Sequence, residues 1–182
     1  MLDILLSLDR QLLFFINHWP HNFFTNNFFL FFSIAGYFGI IWFVMLILLF
    51  LYDGLDNKRE IIALILSLIF NVILVEIILK NIFLRIRPET ALESEVLQIL
   101  VRSNSYSFPS GHATIAFAAA YILSLQRRHL AWFFYLFAFL VALSRVYLGR
   151  HYPSDIFIGS ILGYLMGFIS YRLVLREYPI KK

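Results

Sequence analysis

One stretch of the chain carries no charge for 24 residues: FFLFFSIAGYFGIIWFVMLILLFL, from Phe28 to Leu51. A helix of this length rises about 36 Å, and the hydrocarbon core of a bilayer is about 30 Å thick. The sequence therefore predicts a transmembrane helix over residues 28–51, and with it a membrane protein.

The composition excludes most soluble classes of protein. Of the 182 residues, 61% are hydrophobic and 14% are charged, whereas soluble domains have about 45–50% apolar and about 25% charged residues. The sequence has no cysteine, which excludes disulfides, thiolate zinc sites, Fe–S clusters and a cysteine nucleophile. The net charge of +4 is too small in so apolar a chain to indicate nucleic-acid binding.

Four further segments predict spans, which gives five in all. Three are long apolar runs, and the fourth is short but rich in alanine: Ile61 to Leu79, Leu130 to Leu148, Ile156 to Leu175, and Ser110 to Leu125. Small side chains let the alanine-rich segment pass through the middle of a bundle with little lipid contact. The last span carries Gly159, Gly163 and Gly167, a small-residue ridge that favours close helix packing. We expect this ridge to pack within the chain rather than to form a dimer interface.

The first 27 residues differ, because Asp3, Asp9 and Arg10 interrupt their apolar pattern. They predict an interfacial helix, with Trp19 at the level of the lipid headgroups. A signal peptide is the alternative, but there is neither a basic n-region nor a small-residue cleavage site. The predicted fold is an all-α, polytopic membrane helix bundle of about five transmembrane helices plus an N-terminal interfacial helix. We expect one domain over residues 1–182, with the interfacial helix at 1–27 and the bundle at 28–175.

Basic residues predict the orientation of the bundle. One face of the membrane would hold Lys58, Arg59, Arg127, Arg128, Arg172, Arg176, Lys181 and Lys182. The positive-inside rule makes this face cytoplasmic. The opposite face would hold six more basic residues, between Lys80 and Pro109 and between Arg145 and Asp155. Ionisable residues that cluster at a membrane boundary are candidates for function.

The first cluster of such residues is KNIFLRIRP, residues 80–88. Seven positions are almost two helical turns, so a helix would place Lys80 and Arg87 on one face before the proline ends it. The sequence thus predicts two cations that point the same way.

The second cluster is FPSGH, residues 108–112, directly before a predicted helix. Ser110 can cap that helix, and the free N–H groups at a helix N-terminus bind anions. Gly111 permits close approach of the backbone to the anion, and His112 lies beside it.

The third cluster is SRVYLGRHYPSD, residues 144–155. Arg145 adds a cation, and guanidinium groups bind phosphate oxygens bidentately. If Asp155 accepts a hydrogen bond from Nδ1–H of His151, the opposite ring nitrogen is left unprotonated and nucleophilic. His112 could protonate the leaving oxygen and then activate the water that hydrolyses the phosphohistidine. No metal is then required, because the cations neutralise the developing charge.

These three clusters match the signature K-x6-RP, PSGH and SR-x5-H-x3-D, and on them the chain resembles the type-2 phosphatidic acid phosphatase superfamily. The likeness in helix layout covers most of the chain from about residue 28. The resemblance implies a nucleophile at His151, its orienting carboxylate at Asp155 and a general acid at His112. It also implies phosphate ligands at Lys80, Arg87, Ser110, Gly111 and Arg145, with no metal and no cofactor.

The expected function is hydrolysis of a phosphomonoester or diphosphate on a lipid, by an integral protein of the inner membrane whose active site faces the periplasm. The resemblance implies four candidate substrates: undecaprenyl diphosphate, phosphatidylglycerol phosphate, phosphatidic acid and lipid A 1-phosphate. A lipid phosphotransferase using the same histidine is the main alternative. An anion transporter or channel would need neither His151 nor Asp155, and a haloperoxidase does not fit a five-span membrane protein.

Some charged residues near the clusters have two open interpretations. Glu76 lies one turn before Lys80 and either neutralises that lysine or takes part in substrate binding or proton handling. We expect contact with either the lipid headgroup or solvent for Arg85, Arg102 and Arg150. An apolar pattern within residues 89–107 predicts a short interfacial helix over the site.

Overall fold

The computed structural model describes residues 2–53 and 58–177, and every regular element in these ranges is helical. Lys181 and Lys182, used above for the orientation, lie outside this part of the chain. The α-helices are α1 (Leu2–Asn17), α2 (Phe23–Ala35), α3 (Ile40–Asp53), α4 (Lys58–Phe70), α5 (Lys80–Phe83), α6 (Pro88–Ala91), α7 (Gly111–Gln126), α8 (Ala131–Tyr147) and α9 (Pro153–Glu177). A π-helical segment, Asn71–Leu79, joins α4 to α5, and single 3₁₀ turns precede α3 and α8.

The helices make the protein an integral membrane protein. Three helical segments within the described ranges are long and apolar enough to cross a bilayer: Lys58–Ala91, Arg128–Tyr147 and Pro153–Arg176. The apolar α7 is shorter than these segments. Helices α2 and α3 are long and apolar enough to cross a bilayer only when they are taken together. Large apolar side chains cover the outside of the bundle, as Phe24 (81% exposed) and Ile47 (56% exposed) illustrate; soluble monomers rarely expose large contiguous apolar patches. The predicted all-α, polytopic helix-bundle class is confirmed.

The predicted first span over residues 28–51 is not one straight helix. α2 ends at Ala35, a 3₁₀ turn covers Tyr37–Gly39, and α2 and α3 meet at an angle of 77°. Gly39 has φ +73°, a backbone conformation that strongly favours glycine. At Gly36 a Cβ atom would lie 2.5 Å from Cγ1 of Val141 on α8. The two glycines thus allow a tight bend against the bundle. The uninterrupted apolar run gave no indication of this bend.

The centre of the bundle is the alanine-rich α7, which packs against α9 and α8. Its alanines are buried, and Ala113, Ala116 and Ala120 are fully so. The glycine ridge of α9 lies on α7: a Cβ at Gly159 would lie 2.8 Å from the carbonyl oxygen of Ser110. The predictions of a central α7 and of in-chain packing by the ridge are both confirmed.

The N-terminal region contains a shorter helix than predicted. α1 ends at Asn17, and α2 begins at Phe23, where Oδ1 of Asn22 accepts hydrogen bonds from the N–H groups of Phe24 and Thr25 (3.0 Å each). The predicted boundary at residue 27 therefore falls inside α2. α1 packs against α8 and α9, and its Asp9 is buried.

Candidate active site

A cavity of about 630 Å³ opens at one end of the bundle. Most of the residues predicted for the site line it: Glu76, Lys80, Arg87, Gly111, His112, Arg145 and His151. The other two, Ser110 and Asp155, are fully buried behind it. The fold thus brings together all three polar clusters, which are far apart in the sequence.

Lys80 and Arg87 reach the cavity by a route that differs from the predicted one. α5 ends at Phe83, and Leu84 has a left-handed conformation with φ 49°. The two cations therefore do not share one helical face; the chain turns at Leu84 and returns Arg87 to the site in an extended segment. Arg87 is fixed there by hydrogen bonds from Nε and Nη2 to the carbonyl oxygen and hydroxyl of Ser105 (2.8 Å each).

Glu76 is paired with Lys80. The ammonium group of Lys80 donates to both carboxylate oxygens of Glu76, at 2.8 and 2.7 Å. A Cβ atom at Gly111 would lie 2.5 Å from Oε1 of the same carboxylate. Glu76 thus stands between a predicted phosphate ligand and the N-terminus of α7.

The N-terminus of α7 has the predicted cap. The hydroxyl of Ser110 accepts from the N–H of Ala113 at 3.5 Å, and the N–H of Ser110 donates to the carbonyl oxygen of Asp155 at 3.1 Å. His112, in the first turn of α7, lines the cavity, and its buried Nε2 has no hydrogen-bond partner among the described residues. An unpaired imidazole nitrogen in the cavity is available to a bound molecule.

A tight turn brings His151 back beside Arg145. Gly149 has φ +70°, a conformation that favours glycine. The N–H groups of Arg150 and His151 both donate to the carbonyl oxygen of Arg145, at 2.9 and 3.2 Å. The guanidinium of Arg145 donates to the hydroxyl of Ser33 on α2. The bent α2 therefore helps to orient a predicted phosphate ligand.

The tautomer of His151 follows from its two neighbours. Nη1 of Arg87 lies 3.1 Å from Nε2 of His151, and arginine has only donors. Nε2 is therefore the acceptor, so the neutral ring carries its proton on Nδ1, which lies 3.4 Å from Oδ2 of Asp155. Burial, with Arg87 and Arg145 nearby, lowers the pKa of His151 well below its ordinary value of 6.5. The imidazole is neutral at pH 7, and its lone pair is on Nε2.

Residues 89–107 close over the site without forming the predicted helix. Only α6 is helical there, and turns and irregular chain follow it. The buried Glu89 holds this segment: Oε1 accepts from Nη1 of Arg150 at 2.9 Å and from the N–H of Ser103 at 3.0 Å. Arg150 is thus engaged in a buried ion pair rather than with headgroup or solvent. Arg102 forms an exposed pair with Glu93.

Arg85 contacts neither headgroup nor solvent in the expected way, because its half-buried guanidinium is paired with two buried carboxylates. Nη1 of Arg85 donates to Asp155 and Nη2 donates to Asp9, both at 2.6 Å. The alternation Arg85-x-Arg87 and the acidic Asp9 in the middle of an apolar helix were the available signals. Neither signal shows that α1 and α9 meet at this arginine.

No group of three or more histidine or acidic side chains within the described ranges is arranged to hold a metal ion. The charged groups that meet in the cavity are mainly cations: Lys80, Arg87, Arg145 and Arg150. The arrangement combines an anion site, an oriented neutral imidazole and a second imidazole. Such a site can bind a phosphoryl group and attack it.

Known proteins share both the sequence and the fold of this chain. The model of the PAP2 superfamily matches residues 60–179. A lipid A 4'-phosphatase of Bacteroides thetaiotaomicron is 30% identical over 195 residues, covering 97% of this chain and 83% of that protein. An undecaprenyl-diphosphatase of Sulfolobus acidocaldarius is 34% identical over 122 residues, and the match spans 66% of this chain and 58% of that protein.

Two crystal structures have the same fold. LpxE of Aquifex aeolicus superposes with a TM-score of 0.78 at 34% identity, covering 91% of this chain and 95% of that one. A PAP2-type phosphatidylglycerolphosphate phosphatase of Bacillus subtilis gives a TM-score of 0.70 at 22% identity, covering 98% and 90%, and this likeness supports the fold alone. The family model covers well over half of the chain. The chain therefore belongs to the PAP2 superfamily.

Proposed function

We propose that this protein is a membrane lipid phosphatase that removes phosphate from a lipid phosphomonoester or diphosphate through a phosphohistidine at His151. Family membership and the lipid phosphatases among its relatives support the reaction class. The observation that carries the mechanism is the position of the His151 imidazole in the cavity, with Asp155 at Nδ1 and Arg87 at Nε2.

In the first step, Nε2 of His151 attacks phosphorus and the bond from phosphorus to the leaving oxygen breaks. His112 donates a proton to that oxygen, since its Nε2 in the cavity is otherwise without a partner. In the second step, His112 accepts a proton from water as the water oxygen attacks the phosphohistidine. The N–P bond breaks, and inorganic phosphate and free His151 result.

The phosphate oxygens are held by Lys80, Arg87, Arg145 and the amides that follow Ser110. Preorganised donors of this kind stabilise the charge that develops in the transition state. The reaction therefore needs no metal ion for charge neutralisation, and we expect it to proceed in the presence of a chelator.

The apolar wall of the cavity supports a lipid as the substrate. Beside the charged groups, the cavity is lined by aliphatic side chains of α4, the π-helical segment and α7: Leu68, Ile69, Val72, Ile73 and Ile115. Val72 and Ile73 are also partly exposed on the outside of the bundle. A lipid tail can thus remain in the bilayer while its phosphate enters the site.

The substrate class that we propose is a lipid phosphate with a long acyl or prenyl tail. Candidates are undecaprenyl diphosphate, phosphatidylglycerol phosphate, phosphatidic acid and a phosphate of lipid A. We place the enzyme in the bacterial inner membrane with its active site at the periplasmic face. The exposed Lys58 and Arg128 at the far end of the bundle, with the half-buried Arg59, favour that end as the cytoplasmic one.

The test is phosphate release from these four lipids by the full chain in detergent with excess EDTA. Wild type and His151→Ala are compared, with His129→Ala, an exposed histidine far from the three clusters in sequence, as the matched control. We expect release by wild type and the control alone. Release by His151→Ala at the wild-type rate, or loss of wild-type release in EDTA, would overturn the mechanism. Little free phosphate, with a phosphorylated product formed when a lipid or sugar acceptor is added, would indicate a phosphotransferase.

A further inference from the structure

The carboxylate behind His151 is one end of a chain of charges that reaches the N-terminal helix. Asp155 is fully buried, and its Oδ1 accepts from Nη1 of Arg85 at 2.6 Å. Nη2 of the same guanidinium donates to Oδ2 of Asp9 on α1 at 2.6 Å. One arginine thus bridges two buried carboxylates that are far apart in sequence.

Asp9 is itself fixed to the start of α9. Its Oδ1 accepts from the N–H of Ser154 at 2.8 Å, and its Oδ2 accepts from the hydroxyl of Ser154 at 2.6 Å. The guanidinium of Arg85 lies over the ring of Tyr152, 3.9 Å from the ring centroid. Both terminal nitrogens of Arg85 are thus engaged by carboxylates, and the aromatic ring supports the guanidinium plane.

The two oxygens of Asp155 have separate tasks. Oδ2 faces Nδ1 of His151 and also accepts from the N–H of Tyr152 at 2.9 Å. Oδ1 is held by Arg85. Without Arg85, the carboxylate would lose the cation that compensates its buried charge, and only the bond from Tyr152 to Oδ2 would restrain its rotation.

We infer that Arg85 and Asp9 are positioning residues for the reaction: they hold Asp155 in the orientation that keeps the proton of His151 on Nδ1. The inference rests on the proposed function, because it assigns these residues to the nucleophile named there. It also makes α1 part of the catalytic apparatus rather than a membrane anchor alone.

Direct contact with the substrate does not explain this network. Neither Arg85 nor Asp9 lines the cavity that holds the phosphate ligands. Arg85 lies on the Asp155 side of His151, whereas Arg87 lies on the Nε2 side. Substitution of Arg85 should therefore lower the rate of the chemical step and leave phosphate binding as it was.

The experiment compares Arg85→Gln, Arg85→Lys and Asp9→Asn in the full chain in detergent. The matched control is Arg10→Gln, because Arg10 is the exposed neighbour of Asp9 on α1. Each variant is assayed for kcat, for KM, and for inhibition by inorganic phosphate. Misplacement of a catalytic group by about 1 Å can cost on the order of 100-fold in rate, so we expect a loss of that order in kcat for Arg85→Gln. The expected loss is smaller for Arg85→Lys and Asp9→Asn, and phosphate inhibition stays at the wild-type level.

A double substitution separates positioning from a general loss of structure. If Arg85 acts through Asp155, then Arg85→Gln added to Asp155→Asn lowers kcat little further. Additive losses, a wild-type kcat in Arg85→Gln, or weakened phosphate inhibition would each overturn the inference. If Arg85→Gln does not fold, the isosteric Asp9→Asn decides by the same criteria. His151→Ala is measured alongside: activity in that variant would refute the proposed function, whereas an inactive His151→Ala with a fully active Arg85→Gln refutes only this inference.

Discussion

The carboxylate of Glu76 occupies part of the space that the predicted phosphate site would use. It pairs with Lys80 and lies against Gly111. Among the cavity-lining residues of the described ranges, Glu76 is the one acidic side chain. A phosphate that binds Lys80 must therefore compete with this carboxylate.

Replacement of Glu76 should strengthen phosphate binding. We expect Glu76→Gln to lower the inhibition constant of inorganic phosphate by about tenfold, which corresponds to about 1.4 kcal/mol, because a negative charge beside the anion is removed. Glu93→Gln, at an exposed acid paired with Arg102, is the control and should leave inhibition unchanged. Weaker phosphate inhibition in Glu76→Gln would mean that the carboxylate contributes to binding.

The neutral His151 makes stability depend on pH. Burial lowers the pKa of His151 well below 6.5, so below about pH 6.5 the unfolded chain binds a proton that the folded chain does not. Stability should fall as the pH drops through this range, by at most about 1.4 kcal/mol per pH unit for one such group. Thermal unfolding in detergent should show a smaller pH dependence for His151→Gln than for wild type. The expectation fails if the two slopes are equal.

Local spacing was sufficient to predict five of the residues that line the cavity. These residues lie in short motifs in which a cation or imidazole has a fixed offset from a proline, a glycine or an acid: Lys80, Arg87, His112, Arg145 and His151. Arg85 and Asp9 could not be found in this way, because 76 residues separate them in sequence. Their pairing depends on where α1 packs, and no local pattern encodes that contact.

At the level of helices, the seam between α7 and α9 fixes the relation between two of the polar clusters. The N–H of Ser110, which precedes α7, donates to the carbonyl oxygen of Asp155 in α9. Backbone atoms of Ser110, Thr114 and Ala118 lie against the glycines of α9: Gly159, Gly163 and Gly167. Close approach of the two helices thus sets the position of the amides that follow Ser110, the proposed phosphate donors, relative to the proposed nucleophile His151.

A side chain at position 163 should separate these helices. Alanine favours a helix by about 1 kcal/mol over glycine, but a Cβ at residue 163 would collide with the backbone of Thr114, and overpacking costs about 1–3 kcal/mol. We expect Gly163→Ala to unfold at a lower temperature in detergent and to lose activity. Ile161→Ala, on the exposed side of α9, should retain both properties. Wild-type stability of Gly163→Ala would contradict this packing account.

The helices themselves were predictable because a membrane requires long apolar segments whose backbone groups are satisfied internally. Interruptions within those segments were not. The bend at Gly36 and Gly39 and the π-helical segment Asn71–Leu79 lie inside apolar runs, where hydropathy carries no signal. Both features form part of the site: the π-helical segment carries Asn71 and Glu76 into the cavity, and α2 places Ser33 against Arg145.

For the whole molecule, the orientation in the membrane remains a prediction from charge. Lys58 and Arg128 are exposed, and Arg59 is half-buried, at the end of the bundle opposite the cavity. Arg127 is less informative, because it forms a buried pair with Glu60, with Nη1 2.9 Å from Oε2.

Single cysteines can test the orientation directly, because the chain contains none. Val101 is 91% exposed beside the site, and His129 is exposed in the connection between α7 and α8. We expect a membrane-impermeant thiol reagent to label Val101→Cys in intact bacterial cells and His129→Cys only after permeabilisation. The cysteine-free chain is the control. Labelling in the reverse order would place the active site in the cytoplasm.

The most direct test of the mechanism is to look for the covalent intermediate. The full chain is mixed with a lipid phosphate or diphosphate that it hydrolyses, in detergent with EDTA, quenched rapidly in base and analysed by peptide mass spectrometry. The account predicts a base-stable, acid-labile phosphoryl group on His151, absent from Asp155→Asn at the same time point because that variant forms it slowly. A phosphoryl group on His112 or on any other residue, or turnover with no phosphoenzyme at any quench time, would contradict it.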